Sequence, residues 1–201
     1  MKLWMETDRL VIRPFKNEDY RQVTKLCSNY DLHKYTLGIP HPYTQQNAKD
    51  FIDYTIKSSQ EGKSYELAVA FKDNPENVVA CISLVHVKPN LKAELGYWVG
   101  KEYWGKGIAT EMVNRMMQFG FDDLNLHSIF ARHFADNPAS GKVMQKCGMK
   151  YVGTMREQEY KLDKFHDVLY YDILAKDYKN LNTKEANGWK IWHTRQKGLK
   201  L

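Results

Sequence analysis

Cysteine is scarce in this chain of 201 residues: Cys27, Cys81 and Cys147 are widely separated, odd in number and form no CxxC pair. Such a set cannot lay out a disulfide framework or a thiolate zinc site, and it suits a reducing, cytoplasmic setting. The histidines show neither HxH nor HExxH spacing, so no metal is expected. No apolar run approaches the roughly 18 residues of a membrane span. The opening MKLWMETDRL lacks the apolar core of a secretory signal, and no membrane partner is expected. Internal repeats and low-complexity segments are missing as well. What remains is 43% hydrophobic and 27% charged, the balance of an ordinary globular protein long enough to bury one full core.

The net charge of +6 is unevenly spread. Residues 180–201 carry Lys184, Lys190, Arg195, Lys197 and Lys200 against Glu185 alone, which is 5 − 1 = +4. Two readings stay open: a solvated tail, or a tail drawn to an acidic partner. Trp189 and Trp192 lie among these cations, a composition that would suit base stacking and phosphate contact with RNA.

Taken in order, Thr7–Phe15 alternates, with Leu10 and Ile12 on one face and Val11 and Arg13 on the other, and reads as a strand. Asn17-Glu18-Asp19 opens a helix carrying Val23, Leu26 and Cys27. The stretch Asp31–Tyr43, with Gly38, Pro40 and Pro42, reads as a loop. Thr44 suits the N-cap of a second helix with Phe51, Ile52, Thr55 and Ile56 on its apolar face. Strands are expected at Tyr65–Lys72 and Val78–Val87, joined by a polar hairpin connection containing Pro75. A strand at His127–Phe134 is followed by a short helix from Ala139 to Lys146, closed by Gly148. Two long strand-like runs, Lys150–Lys161 and His166–Tyr178, join around Asp163-Lys164. The whole reads as an α/β chain: a mixed sheet with helices on both faces.

At the centre lies Ala93–Glu111. An apolar strand (Leu95, Tyr97, Trp98, Val99) enters the turn Trp104-Gly105-Lys106-Gly107-Ile108-Ala109. A helix follows, with Ile108, Met112, Met116 and Phe119 on one face, ending near Asp123. The turn needs residues without bulk and positive φ. The helix start leaves unpaired N–H groups with positive partial charge, so the junction suits an anion such as a pyrophosphate. A plain tight turn is the competing reading of the same glycines.

The hexamer at 104–109 resembles the Q/R-x-x-G-x-G/A acyl-CoA loop of the GCN5-related N-acetyltransferases, and the order of elements fits that family. Three further stretches resemble the branch that acetylates ribosomal-protein N-termini. They are Glu6-Thr7-Asp8-Arg9-Leu10-Val11-Ile12-Arg13, Gly96-Tyr97-Trp98-Val99, and Asn137-Pro138-Ala139-Ser140 with Lys146-Cys147-Gly148-Met149. The resemblance covers roughly residues 5–178. It implies a central, mostly antiparallel, twisted sheet of about seven strands. It also implies a domain over 1–178, a basic tail over 179–201, and acetyl-CoA as co-substrate bound by Trp98, Val99, Trp104, Gly105, Lys106, Gly107, Ile108, Ala109 and Thr110 together with Asn137 and Ser140. Trp104 stands where the family usually has Gln or Arg, so phosphate contact there would fall to backbone N–H groups.

Acetyl transfer from a thioester to an amine needs three things. The amine, with a reference pKa of about 10, must lose a proton; the oxyanion needs a donor; the departing thiolate benefits from a proton or hydrogen bond. The resemblance puts Asn137 and Ser140 beside the thiol, with Ser140 as donor to the thiolate; turn and helix-start roles are the alternatives. Glu159 corresponds to the glutamate implicated in amine deprotonation. Glu157, Glu159 and Lys161 alternate and should share one face. Glu94, on the strand before the loop, is the second candidate base. Tyr97, Trp98 and Trp104 read as packing residues, and Asp167 as a turn-stabilising acid. Lys106 reads equally as a phosphate-side charge or an exposed lysine. The expected acceptor is a protein N-terminal α-amino group, ribosomal by resemblance. A polyamine, an aminoglycoside, or a non-catalytic acyl-CoA- or RNA-binding role are the alternatives, and both monomer and homodimer stay open.

Overall fold

The structure, a computed structural model, describes residues 3–186, with side chains through residue 181. Strands β1 (Met5–Glu6), β2 (Leu10–Pro14), β3 (Tyr65–Phe71), β4 (Asn74–Lys88), β5 (Lys92–Val99), β6 (Ser128–Phe134), β7 (Lys150–Lys161) and β8 (Lys164–Leu174) form one sheet in the order β1-β2-β3-β4-β5-β6-β8-β7. Helices α1 (Tyr20–Cys27), α2 (Tyr30–Tyr35) and α3 (Gln45–Gln60) cover one face. Helices α4 (Ile108–Gln118), α5 (Pro138–Lys146) and α6 (Ala175–Ala186) belong to the other. Every ladder is antiparallel except β5 with β6.

Both faces of the central strands are buried, whereas the edge strand β7 has no buried residue, and the period of two divides the central side chains between two cores. Leu10, Ile12, Leu67, Val69, Leu95 and Val99 pack with Met112, Val113 and Met116 of α4. On the opposite face Ala68, Val78 and Cys81 pack with Val23, Leu26 and Ile52 of α1 and α3. Arg13 alternates onto this second face and is 1% exposed. Its guanidinium is matched by bidentate hydrogen bonds to Asp19 (2.7 and 3.0 Å) and by the carbonyls of Pro14 and Pro75, which is the condition for burying a charge.

Thr44 caps α3 with Asn47 in a capping box, as expected. The expected sheet of about seven strands holds eight, and three further expectations are corrected. Strand β1 pairs with β2 and brings the sheet to eight strands. The segment read wholly as loop holds α2, capped by Asn29 and anchored by buried Leu32; two prolines and a glycine downstream masked its single turn and a half. Strand β4 begins at Asn74, so only Lys72 and Asp73 separate it from β3. Pro75 fits because the register slips between Phe71↔Asn74 and Ala70↔Val78. Finally β8 spans Lys164–Leu174, and residues 175–178 open α6, which runs across residue 178. Leu181 of α6 packs against the larger core and lies beside Gly148. Trp189, Trp192 and the cations Lys190, Arg195, Lys197 and Lys200 lie outside the described residues.

One irregularity positions the site. Parallel pairing of β5 with β6 covers Lys92–Leu95 against Ser128–Ala131 and goes no further. Beyond it β6 continues with β8 as far as Phe134↔Val168, while Gly96–Val99 stays with β4. The sheet therefore splits toward the carboxyl ends of its one parallel pair. The N-termini of α4 and α5 follow those two strand ends.

Candidate active site

The β5–α4 junction has the backbone its sequence requires. Gly105 and Gly107 take φ of +75° and +77°, the left-handed region that other residues enter only with strain. Gly107 caps α4 without a side chain, so no capping group competes for the first-turn N–H groups. Ile108 is buried in the core, and only its backbone is available to a ligand. Trp104 has a structural role, since its indole Nε1–H donates to the carbonyl of Val99 at 2.6 Å. Lys101 lies over the Trp104 ring and pairs with Asp31, while the Lys106 ammonium lies 5.5 Å from the centre of the Tyr103 ring. Trp98 packs toward the α1–α3 core, Ala109 packs against the α4 core, and Val99 is itself in that core. Thr110 offers its carbonyl to the Cys147 thiol, whose pKa burial pushes up to about 12.

The other lip of the split is the start of α5. Asn137 caps this helix, its Oδ1 accepting from the Ser140 N–H and its Nδ2 donating to the carbonyl of Tyr35, so it ties α5 to the end of α2. Ser140 Oγ lies 2.7 Å from the Tyr97 hydroxyl, whose single proton can go to it or to the Ser140 carbonyl at 3.2 Å. Tyr97 thus bridges the split from β5 to α5, a role beyond the packing expected of it. Burial raises the Tyr97 phenol well above its ordinary range, and the hydrogen bond with Ser140 offsets this only in part. The phenol therefore stays protonated and can donate.

On the sheet face toward α1–α3, the two candidate bases come together. Arg132 donates from Nε to Glu94 Oε1 and from Nη1 to Glu159 Oε1, each at 2.8 Å. Burial disfavours the charge on Arg132, but the hydrogen bonds it donates to Glu94 and Glu159 outweigh this and hold the guanidinium above its ordinary value. Two carboxylates against one guanidinium leave one net negative charge. Glu94 is the more sheltered, its side chain 14% exposed against 34% for Glu159. The expected alternation of Glu157 with Glu159 fails, because the register breaks between Met155 and Glu159 and Glu157 takes φ of +52°. Asp167 Oδ1 accepts from the Glu157 N–H at 2.8 Å, the turn-stabilising role expected of it. Lys161 donates to the carbonyl of Thr36, closing the β7–β8 hairpin onto the loop after α2.

Arg132 and the Tyr97 hydroxyl are the two members that reading the sequence missed. The alternation Ser128–Phe134 puts Arg132 on the face of Phe130 and Phe134, a charge where an apolar residue would serve packing, and that was the available signal. Among the described residues no group of three or more histidine, cysteine or acidic side chains could hold a metal ion. No described helix is long and apolar enough to cross a membrane.

The split sheet, the glycine junction on one lip and the serine-bearing helix on the other define an acetyl-transfer fold. The family model for the acetyltransferase (GNAT) domain matches residues 9–150, and the chain belongs to that family. Its relatives include the uncharacterized N-acetyltransferase p20 of Bacillus licheniformis, 29% identical over 172 residues, or 86% of this chain and 96% of p20. A spermidine N(1)-acetyltransferase of Vibrio cholerae is 23% identical over 86% of this chain and 96% of its own length. In fold, the chain matches RimL, the ribosomal L7/L12 alpha-N-protein acetyltransferase solved with coenzyme A, with a TM-score of 0.78 at 18% identity over 85% of this chain and 97% of RimL.

Proposed function

We propose that this acetyltransferase moves the acetyl group of acetyl-CoA to a primary amine, in the first place a protein N-terminal α-amino group. The observation that carries the reading is the Arg132 bridge, which gathers Glu94 and Glu159 on one face of the sheet while Tyr97 and Ser140 meet across the split. Bound acetyl-CoA supplies an activated thioester. The first-turn N–H groups of α4 and the 104–107 backbone fit its pyrophosphate, at a junction where Gly107 takes φ of +77°, which a side chain would adopt only with strain. Glu159, the more exposed of the two carboxylates, accepts the amine proton, with Glu94 as the second candidate. The net negative charge of the cluster favours a cationic amine arriving at the split. Ser140, polarised by the Tyr97 hydroxyl, hydrogen-bonds the thiolate as it leaves, and Asn137 fixes the helix that carries Ser140.

A small amine is the second reading, supported by the relative named for spermidine. Tyr30, His33 and His41 cluster on the loop side of α2, with ring centres 5.2 to 5.8 Å apart, and could wall an acceptor of either kind. A non-catalytic acyl-CoA- or RNA-binding role would leave Ser140 and Glu159 without work. The deciding experiment offers acetyl-CoA with N-terminal peptides, spermidine and aminoglycosides in parallel and reads thiol release. Turnover with a peptide and not with spermidine is expected. The reverse pattern selects the polyamine reading, and no release with any amine would sink both.

A further inference from the structure

We propose that Arg9 is a positioning residue for the pyrophosphate of acetyl-CoA, supplying from the N-terminal segment the cation that Trp104 does not provide; this rests on residues 104–109 being the pyrophosphate loop. The side chain at position 104 is engaged with the Val99 carbonyl. Arg9, just ahead of β2, reaches the same loop from nearly a hundred residues away in sequence. Its Nη1 donates to the Lys106 carbonyl at 3.1 Å, and a Cβ built on Gly107 would lie 3.5 Å from its Nη2. On its other edge Nε donates to Glu111 Oε2 at 2.7 Å, and Nη2 lies 2.6 Å from the same oxygen. Thr7 Oγ1 and the Arg9 N–H hold Glu111 Oε1.

This clamp answers an electrostatic difficulty. Glu111 sits in the first turn of α4, where a carboxylate suits the helix dipole but repels any anion bound at the same helix end. Its burial opposes ionisation, yet the hydrogen bonds from Thr7 and Arg9 outweigh that and hold its carboxyl below the usual range. Glu111 is therefore charged, and only a cation bound to it makes the junction hospitable to a pyrophosphate. Arg9 does so bidentately while its remaining edge fixes the loop carbonyl beside Gly107. Nearly half of its side chain, 48%, stays exposed. A lysine could cancel the charge, but it lacks the fork that reaches Glu111 and Lys106 together.

The test compares coenzyme A with S-acetylpantetheine, which has the thioester arm and no pyrophosphate, by calorimetry and displacement titration. Wild type should bind coenzyme A more tightly. Arg9→Gln should weaken coenzyme A about tenfold, the scale of lost charge-assisted hydrogen bonds, and leave S-acetylpantetheine nearly unchanged. Arg9→Lys should fall between the two and carries the test if the glutamine variant does not fold. Unchanged coenzyme A affinity in a folded variant overturns the proposal. An equal loss for both ligands makes Arg9 merely structural and overturns it too. Equal affinity of the two ligands in wild type would instead remove the pyrophosphate loop itself, and with it the role of Arg9.

Discussion

The β5–α4 junction and the Arg132 cluster are built from different materials. The β5–α4 side is mostly backbone: two glycines at positive φ, an uncapped helix start, and a tryptophan spent on holding a carbonyl. The Arg132 cluster, the proposed acceptor side, is made of charged side chains from three strands, with Glu94 on β5, Arg132 on β6 and Glu159 on β7 meeting only in the folded chain. A backbone site tolerates a changed side chain, so on the proposed reading Trp104 in place of Gln or Arg leaves the cradle open. A side-chain site does not, because removing one partner leaves a half-buried charge unmatched.

The sharpest way to break this contrast is at the acceptor side. Glu159→Gln should cost about 10²–10⁴-fold in turnover near neutral pH, where the amine is mostly protonated, and recover part of it as pH rises toward the pKa of the amine. Ser140→Ala should show a deficit that persists over the same range, since it removes a donor to the thiolate. Parallel pH–rate profiles would mean that the roles are divided wrongly. Should Glu94→Gln collapse while Glu159→Gln stays near wild type, the base sits on β5.

On the backbone side, Gly107→Val forces a β-branched residue into left-handed φ in the cradle. Acetyl-CoA affinity measured by calorimetry should drop about tenfold or more, with the fold intact by circular dichroism. If side chains rather than backbone held the cofactor, the affinity of a folded variant would not move.

Tyr97 stands between the two regimes, since it is half packing and half chemistry. Tyr97→Phe removes one hydroxyl from the Ser140 pair, and turnover should fall by about tenfold at most, the net worth of one hydrogen bond. The KM for the amine should stay put. A loss as deep as that of Ser140→Ala would promote Tyr97 to the donor itself.

The smallest effect concerns the support beneath Ser140. His133 is buried against Tyr171, and a Cβ on Gly141 would come within 2.7 Å of its Nε2, so α5 needs glycine there. Burial lowers the His133 pKa below its ordinary value, and the hydrogen bond from its ring to the Phe134 carbonyl offsets only part of this. The unfolded chain therefore takes up this proton first. The stability His133 contributes is complete above the unfolded pKa of about 6.5 and is lost as pH falls below it. Urea midpoints between pH 7.5 and 5.5 should drop more steeply for wild type than for His133→Gln, and equal slopes would show that His133 does not titrate on unfolding.

Much of this protein was decided locally. The Gly105–Gly107 turn, the Thr44 cap, the Gly148 stop after α5 and the alternation of Leu10 with Ile12 are each set by a few neighbouring residues. They need only backbone sterics, capping and period-two burial, so they could be read from the chain. The same reasoning failed at Pro75, where a register slip absorbs a residue that ordinarily ends a strand. It failed again at Glu157, where a bulge breaks an alternation that looked regular. The family resemblance named Glu94 and Glu159 as rival bases, but it could not relate them. Their relation is a contact through Arg132 between strands far apart in sequence. Likewise, nothing near Arg9 in the chain announces that its guanidinium ends beside Gly107. Sheet order and the early end of the β5–β6 ladder create these neighbours, and charges that share a low-dielectric cleft act on one another only once the sheet has brought them there.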